Sequence, residues 1–210
     1  MGVGAEMSRN QREDVRQRIM DCAVEEFLMY GYSGSSMRNI STQAGMTVGN
    51  VYAYFSSKDD LFDQVVEPAR RGIDSLLAMD VDPFTQGCEV ALSQISEAIV
   101  QVFLAYRSQF LILINGSAGS KYENVRENVV ALIAKRVSQE FLTKVAPSAK
   151  EDDLLALALA AAIMEGFMRV LNGYGGDSMR LANLLQEFLT IILGSVSDIQ
   201  ALYGPAGKEA

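Results

Sequence analysis

The 210-residue chain contains no histidine, and its two cysteines, Cys22 and Cys88, have no CxxC spacing. Without an imidazole there is no histidine general base and no histidine-based zinc site, and two isolated thiols are expected to stay reduced. No nucleophile elbow, P-loop or dinucleotide-type glycine pattern appears, so no catalytic residue, cofactor or metal is assigned and an enzyme is not expected. Long hydrophobic runs are scarce as well. The longest uncharged apolar run, residues 154–164, covers 11 positions between Asp153 and Glu165, whereas a membrane-spanning helix needs about 20. It reads as a buried helix. No apolar signal segment opens the chain, and Glu6 stands where a myristoylation motif requires Ser or Thr; a cytoplasmic protein with no membrane partner is expected.

What is present is apolar residue in quantity. With 49% hydrophobic residues over 210 positions the chain can bury a sizeable core, or a small domain and a larger one. The formal charge of −8 is unevenly placed: residues 1–58 carry six basic and six acidic side chains, so the excess acid lies beyond them. Arg9, Arg12, Arg16 and Arg18 precede or open the first helix, suiting either phosphate and minor-groove contact or an ordinary solvated face.

Residues 36–58 hold two short helical patterns joined by Gly45, Met46 and Thr47. Ser36 is placed to cap a helix whose inward positions are Met37, Ile40 and Ala44, and Gly45 supplies a residue able to turn left-handed after it. Thr47 caps a second helix with Val51 and Phe55 on its inner face. Val48, Gly49, Asn50, Tyr52, Ala53 and Tyr54 then face outward, the layout by which a helix-turn-helix offers one helix to a DNA groove.

The wider stretch resembles the N-terminal domain of the TetR/AcrR family of bacterial transcriptional repressors. Phe27, Gly31 with Tyr32, Ser35 with Ser36, Ile40, Ala44 with Gly45, Thr47, Gly49, Tyr52, Tyr54 with Phe55, Lys58 and Leu61 stand in the family's register. The resemblance implies an all-α fold: a three-helix helix-turn-helix DNA-binding domain over residues 1–58, then a larger helical ligand-binding and dimerisation domain over 59–210. It implies a repressor that binds palindromic double-stranded operator DNA as a homodimer and is released by a small-molecule effector. The alternative is a dimeric helical sensor or scaffold of the same fold without DNA binding.

Carried onto this sequence, Ser36, Thr47, Tyr54 and Lys58 match positions that hold phosphates, and Arg38, Val48, Gly49, Asn50 and Tyr52 match positions near base edges. Hydroxyls, an ammonium and backbone amides at a helix start are phosphate donors, and Asn50 has the amide that pairs with adenine. Val48 suits either a thymine methyl or plain solvent exposure.

Elsewhere the period stays helical. Val15, Ile19, Ala23 and Phe27 place helix 1 at about residues 11–30. Helix 4 begins near Lys58, capped by Ser56 or Ser57 with Asp59 and Asp60 in its first turn, and Pro68 either bends it or splits it. Residues 79–87, with Pro83 and Gly87, read as a loop. Leu92 through Phe110 form a long amphipathic pattern with a break near Arg107; a turn at 115–120 and another helix from Tyr122 follow, closed by Pro147. The last two helices, about 151–172 and 177–195, have more apolar surface than one inward face needs, and the family packs these two against their copies in a second subunit. An effector pocket would draw on Phe103, Tyr106, Phe110, Tyr122, Met164, Phe167 and Met168, with Asn115, Glu165 and Arg169 as polar anchors. The plainer reading is that the aromatic and Met stripe is core and that Glu165 and Arg169 pair with each other.

Overall fold

The structure, a computed structural model, describes residues 3–81, 88–142 and 153–194. Every regular element among them is helical: α1 (Val3–Gly34), α2 (Met37–Gln43), α3 (Val48–Tyr52), α4 (Lys58–Leu77), α5 (Cys88–Ala105), α6 (Arg107–Asn115), α7 (Val125–Arg136), α8 (Asp153–Gly173) and α9 (Ser178–Leu189). π-helical turns extend α7 over Val137–Leu142 and α9 over Thr190–Gly194. Pro83, Gly87 and Pro147 lie outside the described residues.

The chain divides into two compact units, residues 1–72 with 106–126, and residues 73–105 with 127–210. In the first, Ile19, Ala23 and Phe27 of α1 are fully buried with Ile40 of α2, Val51 and Phe55 from α3 onward, and Leu61 and Phe62 of α4. Each large apolar side chain so buried contributes about 1.5–3 kcal/mol. Phe62 is the hinge pin of an aromatic cluster, edge-on to Phe27 at 4.9 Å and to Tyr32 at 5.0 Å, with Tyr122 at 6.3 Å. α6 packs on α1 in this unit.

One sequence expectation needs amendment, and one alternative left open is decided. Helix α1 begins at Val3 rather than near Gln11, because no proline interrupts residues 3–10 and an established helix propagates cheaply through them. Its regular part does end after Tyr30, since Gly31 leaves helical geometry with φ 65° and ψ 177°. Pro68 does not split α4, which continues through it to Leu77. The proline lacks the N–H that would bond the carbonyl of Gln64, but Val65, Val66, Ala69 and Ile73 are buried on either side of it, and their packing holds the helix together.

The break expected near Arg107 falls at Tyr106, and the apolar residues 110–114 are helical, with Ile112, Leu113 and Ile114 buried. In the second unit α5 packs on α9 and its π turn, and α8 packs on α9. The α8–α9 contact requires Gly166: the ring of Phe188 lies where a side chain at that position would be. By length and composition the stretch Leu154–Gly173 is apolar enough to cross a bilayer. Its Ala160, Ile163, Met164, Phe167 and Leu171 are nonetheless buried in the unit, and Glu165 pairs with Arg169 on its outer side, so it behaves as a core helix.

Candidate nucleic-acid interface

The geometry of α2 and α3 follows from their caps. Ser36, in extended conformation, accepts the Asn39 backbone N–H on its Oγ at 3.1 Å, and Thr47 accepts that of Asn50 at 3.3 Å. Each satisfies a backbone donor that the first helical turn leaves unpaired. The turn between them is a Schellman closure: Gly45 N–H donates to Thr42 O at 3.1 Å and Met46 N–H to Ser41 O at 3.0 Å, with Gly45 at φ 69°. Five residues make α3, and the bond from Phe55 N–H to Val51 O carries its last turn far enough to bury Phe55 beneath it.

The outward set expected from the sequence is outward. Arg38, Thr47, Gly49, Asn50 and Tyr52 are exposed, and Ser36, Val48 and Tyr54 are partly so. An aromatic ring 49% exposed, as Tyr52 is, is apolar surface that a soluble helix carries only at some cost. Lys58 is different. Its Nζ donates to the carbonyl oxygens of Tyr32 at 2.8 Å and Ser35 at 3.2 Å and lies 4.1 Å from the centre of the Tyr32 ring. The ammonium therefore ties the start of α4 to the end of α1, with one N–H left over. Arg16, grouped by sequence with the basic side chains of helix 1, turns inward, donating to Gln64 and resting over the Phe55 ring at 5.2 Å. Arg12 and Arg18 are exposed; the side chain of Arg9 is outside the described residues.

Around this surface the structure selects Ser57 from the two cap residues the sequence offers for α4 and adds two features that escaped sequence reasoning. Ser57 caps α4, its Oγ accepting Asp60 N–H at 3.0 Å, while the Asp60 carboxylate accepts the N–H of Ser56, one residue before the cap, at 2.8 Å. The amide of Gln64, which donates to the Asp60 carboxylate at 2.6 Å, and then the Ser56 N–H hold the Asp60 carboxyl below its usual range. The hydroxyl of Tyr32 donates to Asp59, and chiefly for that reason its ionisation is pushed up to about 12. Glu26, one of the six acidic side chains of residues 1–58, is buried against α2. The signal was there in its position, beside Phe27 and three residues after Ala23 on the inward face.

The first unit also has a backbone junction. Tyr32 N–H donates to Gly116 O at 2.7 Å, and Ser33 Oγ donates to Ala118 O. The Gly31 and Gly116 backbones meet so closely that a side chain on Gly31 would stand 3.3 Å from Gly116 O. An ion pair between Lys121 and Asp63 closes the same region.

The ten candidate effector residues are divided between the units. Phe103, Met164, Phe167 and Met168 are buried in the second. Tyr106, Phe110, Asn115 and Tyr122 belong to the first, where Phe110 is buried, Tyr106 and Asn115 are exposed and Tyr122 stacks toward Phe62. Glu165 and Arg169 are exposed and pair with each other at 3.1 Å, the plainer of the two readings their spacing allows. In the second unit Ser96 is 1% exposed, and its hydroxyl has no hydrogen-bond partner among the described residues. Cys22 is partly buried, and burial, then Glu25 and Asp21, push its thiol up, away from a reactive thiolate. The side chain of Cys88 is outside the described residues.

Comparison with known proteins agrees with this geometry. Residues 19–65 match the family described as bacterial regulatory proteins, tetR family. Over 72 residues the chain is 33% identical to the HTH-type transcriptional regulator AcrR of Shigella flexneri, covering 34% of each chain. Over 77 residues it is 31% identical to an HTH-type transcriptional repressor of Streptomyces coelicolor, covering 37% of this chain and 39% of that one. The matches thus span roughly a third of these relatives' length. A TetR-like transcriptional regulator from Rhodococcus superposes with a TM-score of 0.59 at 18% identity, over 91% of this chain and 97% of its own. NalD of Pseudomonas aeruginosa, the secondary repressor of the MexAB-OprM multidrug efflux pump, does so with 0.54 at 23% identity, over 88% and 98%. These two likenesses establish the fold.

Proposed function

Because this chain belongs to the TetR/AcrR family of bacterial transcriptional regulators, we propose that it is a repressor that binds a palindromic operator as a homodimer and is released by a small apolar effector. The observation that carries the DNA half is the doubly capped α2–α3 pair, which buries Met37, Ile40 and Val51 with only Ser41 as a polar member and whose other face exposes Arg38, Gly49, Asn50 and Tyr52. On this reading Ser36, Thr47, Tyr54 and Lys58 hold phosphates, and Arg38, Val48, Gly49, Asn50 and Tyr52 lie near base edges. Lys58 then does so with the one N–H its two carbonyl partners leave.

The dimer reading is supported by apolar side chains that stay exposed to solvent on α8 and its neighbours: Leu154 is 74% exposed and Ile191 73%, with Leu155 and Leu157 also exposed. A two-fold dimer matches a two-fold operator. For the effector, the buried Phe103, Met164, Phe167 and Met168 supply an apolar lining, and such a lining selects a hydrophobic molecule. Release requires that the effector favour one arrangement of the protein, and a coupling of about 1–3 kcal/mol would weaken operator binding roughly 5- to 150-fold. α4 is the element to carry it, being one continuous helix that begins in the first unit and ends in the second. A regulator of this kind works in the cytoplasm, where its operator is.

The test is a gel shift with the full chain on genomic fragments, followed by variants on the fragment it selects. Asn50→Ala is expected to cost about 1–3 kcal/mol on the operator and little on random DNA. Lys58→Ala weakens both and lowers the salt slope by about one phosphate contact. A protein that selects no fragment is the sensor or scaffold alternative instead.

A further inference from the structure

Glu26 is 1% exposed, yet it carries a carboxylate. A charge so buried is costly unless its lone pairs are occupied. Oε1 accepts from Asn39 Nδ2 at 2.9 Å and from Ser36 N–H at 3.4 Å, and Oε2 accepts from Gln43 Nε2 at 2.7 Å. All three donors are neutral and all belong to α2 or its cap; among the described residues no Lys or Arg pairs with Glu26. The Ser35 hydroxyl adds a bond to the Glu26 carbonyl at 3.4 Å. One residue of α1 therefore grips α2 at its N-cap, its first turn and its last.

That grip does something the apolar contact does not. Met37 and Ile40 set how deeply α2 sits on α1, but apolar packing is non-directional and leaves the helix free to roll. Hydrogen bonds are directional, and three to one carboxylate fix both the roll and the slide of α2. They also fix two amides. With their NH2 groups turned to Glu26, Asn39 and Gln43, both exposed, direct their carbonyl oxygens away from it.

We propose that Glu26 is a positioning residue for operator recognition: it locks the rotation of α2, and through the Gly45 turn the seat of α3, and holds the Asn39 and Gln43 amides in one orientation. The inference rests on the DNA-binding reading above, so its test has one arm without DNA. Glu26→Leu removes all three bonds and suits the apolar surroundings, so the domain folds. Glu26→Gln keeps the shape but sets an amide against amide donors.

In the free protein, the side-chain amide NMR signals of Asn39 and Gln43 should move to solvent-exposed positions and exchange faster in Glu26→Leu. In competition gel shifts at a temperature where all variants are folded, operator affinity should fall about tenfold or more, comparable with a mismatched base pair, while random-DNA affinity stays within about twofold. Adding Asn39→Asp to Glu26→Gln reverses donor and acceptor across the bond and should recover part of the operator preference. An unchanged operator-to-random ratio in Glu26→Leu, even with a lower melting temperature, would overturn the positioning role. So would unchanged amide signals. If the amides respond but the wild-type protein prefers no sequence, the operator role falls together with the DNA-binding reading, and the free-protein arm shows which of the two claims failed.

Discussion

Replacing Gly31 tests whether the end of α1 is held by backbone geometry or merely tolerates a glycine. At φ 65° and ψ 177° Gly31 sits in a region that residues with a Cβ scarcely visit, and forcing alanine there costs on the order of 1–3 kcal/mol. Relief by moving away is blocked, because the new Cβ would lie 3.3 Å from Gly116 O and 3.6 Å from its Cα. Retreat would also stretch the bond from Tyr32 N–H to Gly116 O, worth about 0.5–1.5 kcal/mol. Gly31→Ala is therefore expected to lose about 2–4 kcal/mol, a large share of the roughly 5–15 kcal/mol of a typical domain. Gly45 is the control. It too has positive φ, 69°, but nothing lies within 4 Å of its added Cβ. Gly45→Ala should cost only about 1–2 kcal/mol and Gly45→Asn less, since asparagine visits the left-handed region. Gly31→Asn should gain no such rescue, because ψ 177° lies outside that region. Urea unfolding followed by far-UV circular dichroism measures all four. Equal losses for the two alanines, or recovery by Gly31→Asn, would refute the reasoning.

Leu154→Glu or Ile191→Glu should give a folded monomer in sedimentation, whereas Leu185→Glu, at a position fully buried within the subunit, should unfold the chain; a dimer that survives both exposed substitutions would remove these residues from the interface. Ser96→Ala deletes a buried hydroxyl that has no partner among the described residues and should raise stability by about 1 kcal/mol, from relieved desolvation and better helix propensity, read as a higher melting temperature; a loss would mean that the hydroxyl is bonded in solution. Tyr32 should ionise near 12 in an absorbance titration, and Tyr32→Phe should remove that latest phase. Its folded-state value exceeds its unfolded one near 10, so the stability it contributes is complete below pH 10 and lost as the pH rises from there through about 12; a Tyr32→Phe variant whose stability falls in parallel with wild type over that window would contradict the bond to Asp59.

The helix-turn-helix was legible because its determinants are local. Ser36 and Thr47 cap within three residues of themselves, Gly45 acts on the turn that contains it, and Met37, Ile40, Val51 and Phe55 follow one helical period. Pro68 marks where local reasoning stops deciding. It weakens α4 by a bond the sequence can count, but continuity was settled by Val65, Val66, Ala69 and Ile73, whose burial depends on partners elsewhere in the chain. The Gly31–Gly116 contact and the Ser33–Ala118 bond join residues 85 apart, and no period reports on such a pairing.

Glu26 shows the same limit in chemical form. Read alone, a glutamate on a helix bearing several charges is assigned to a solvated face. Its burial becomes affordable only once Asn39 and Gln43, thirteen and seventeen residues away, bring their amides to it, so its inward position is a hint that only the donors complete. The candidate effector residues meet the complementary limit. Helical spacing places Phe103, Phe110, Met164 and Phe167 inward, and all four are buried, but inwardness is shared by a packed core and a pocket wall. What separates them is whether the facing volume is filled. Filling depends on neighbours: the ring of Phe188 takes up the space that Gly166 leaves open, and a spacing rule applied to either residue alone does not contain the other.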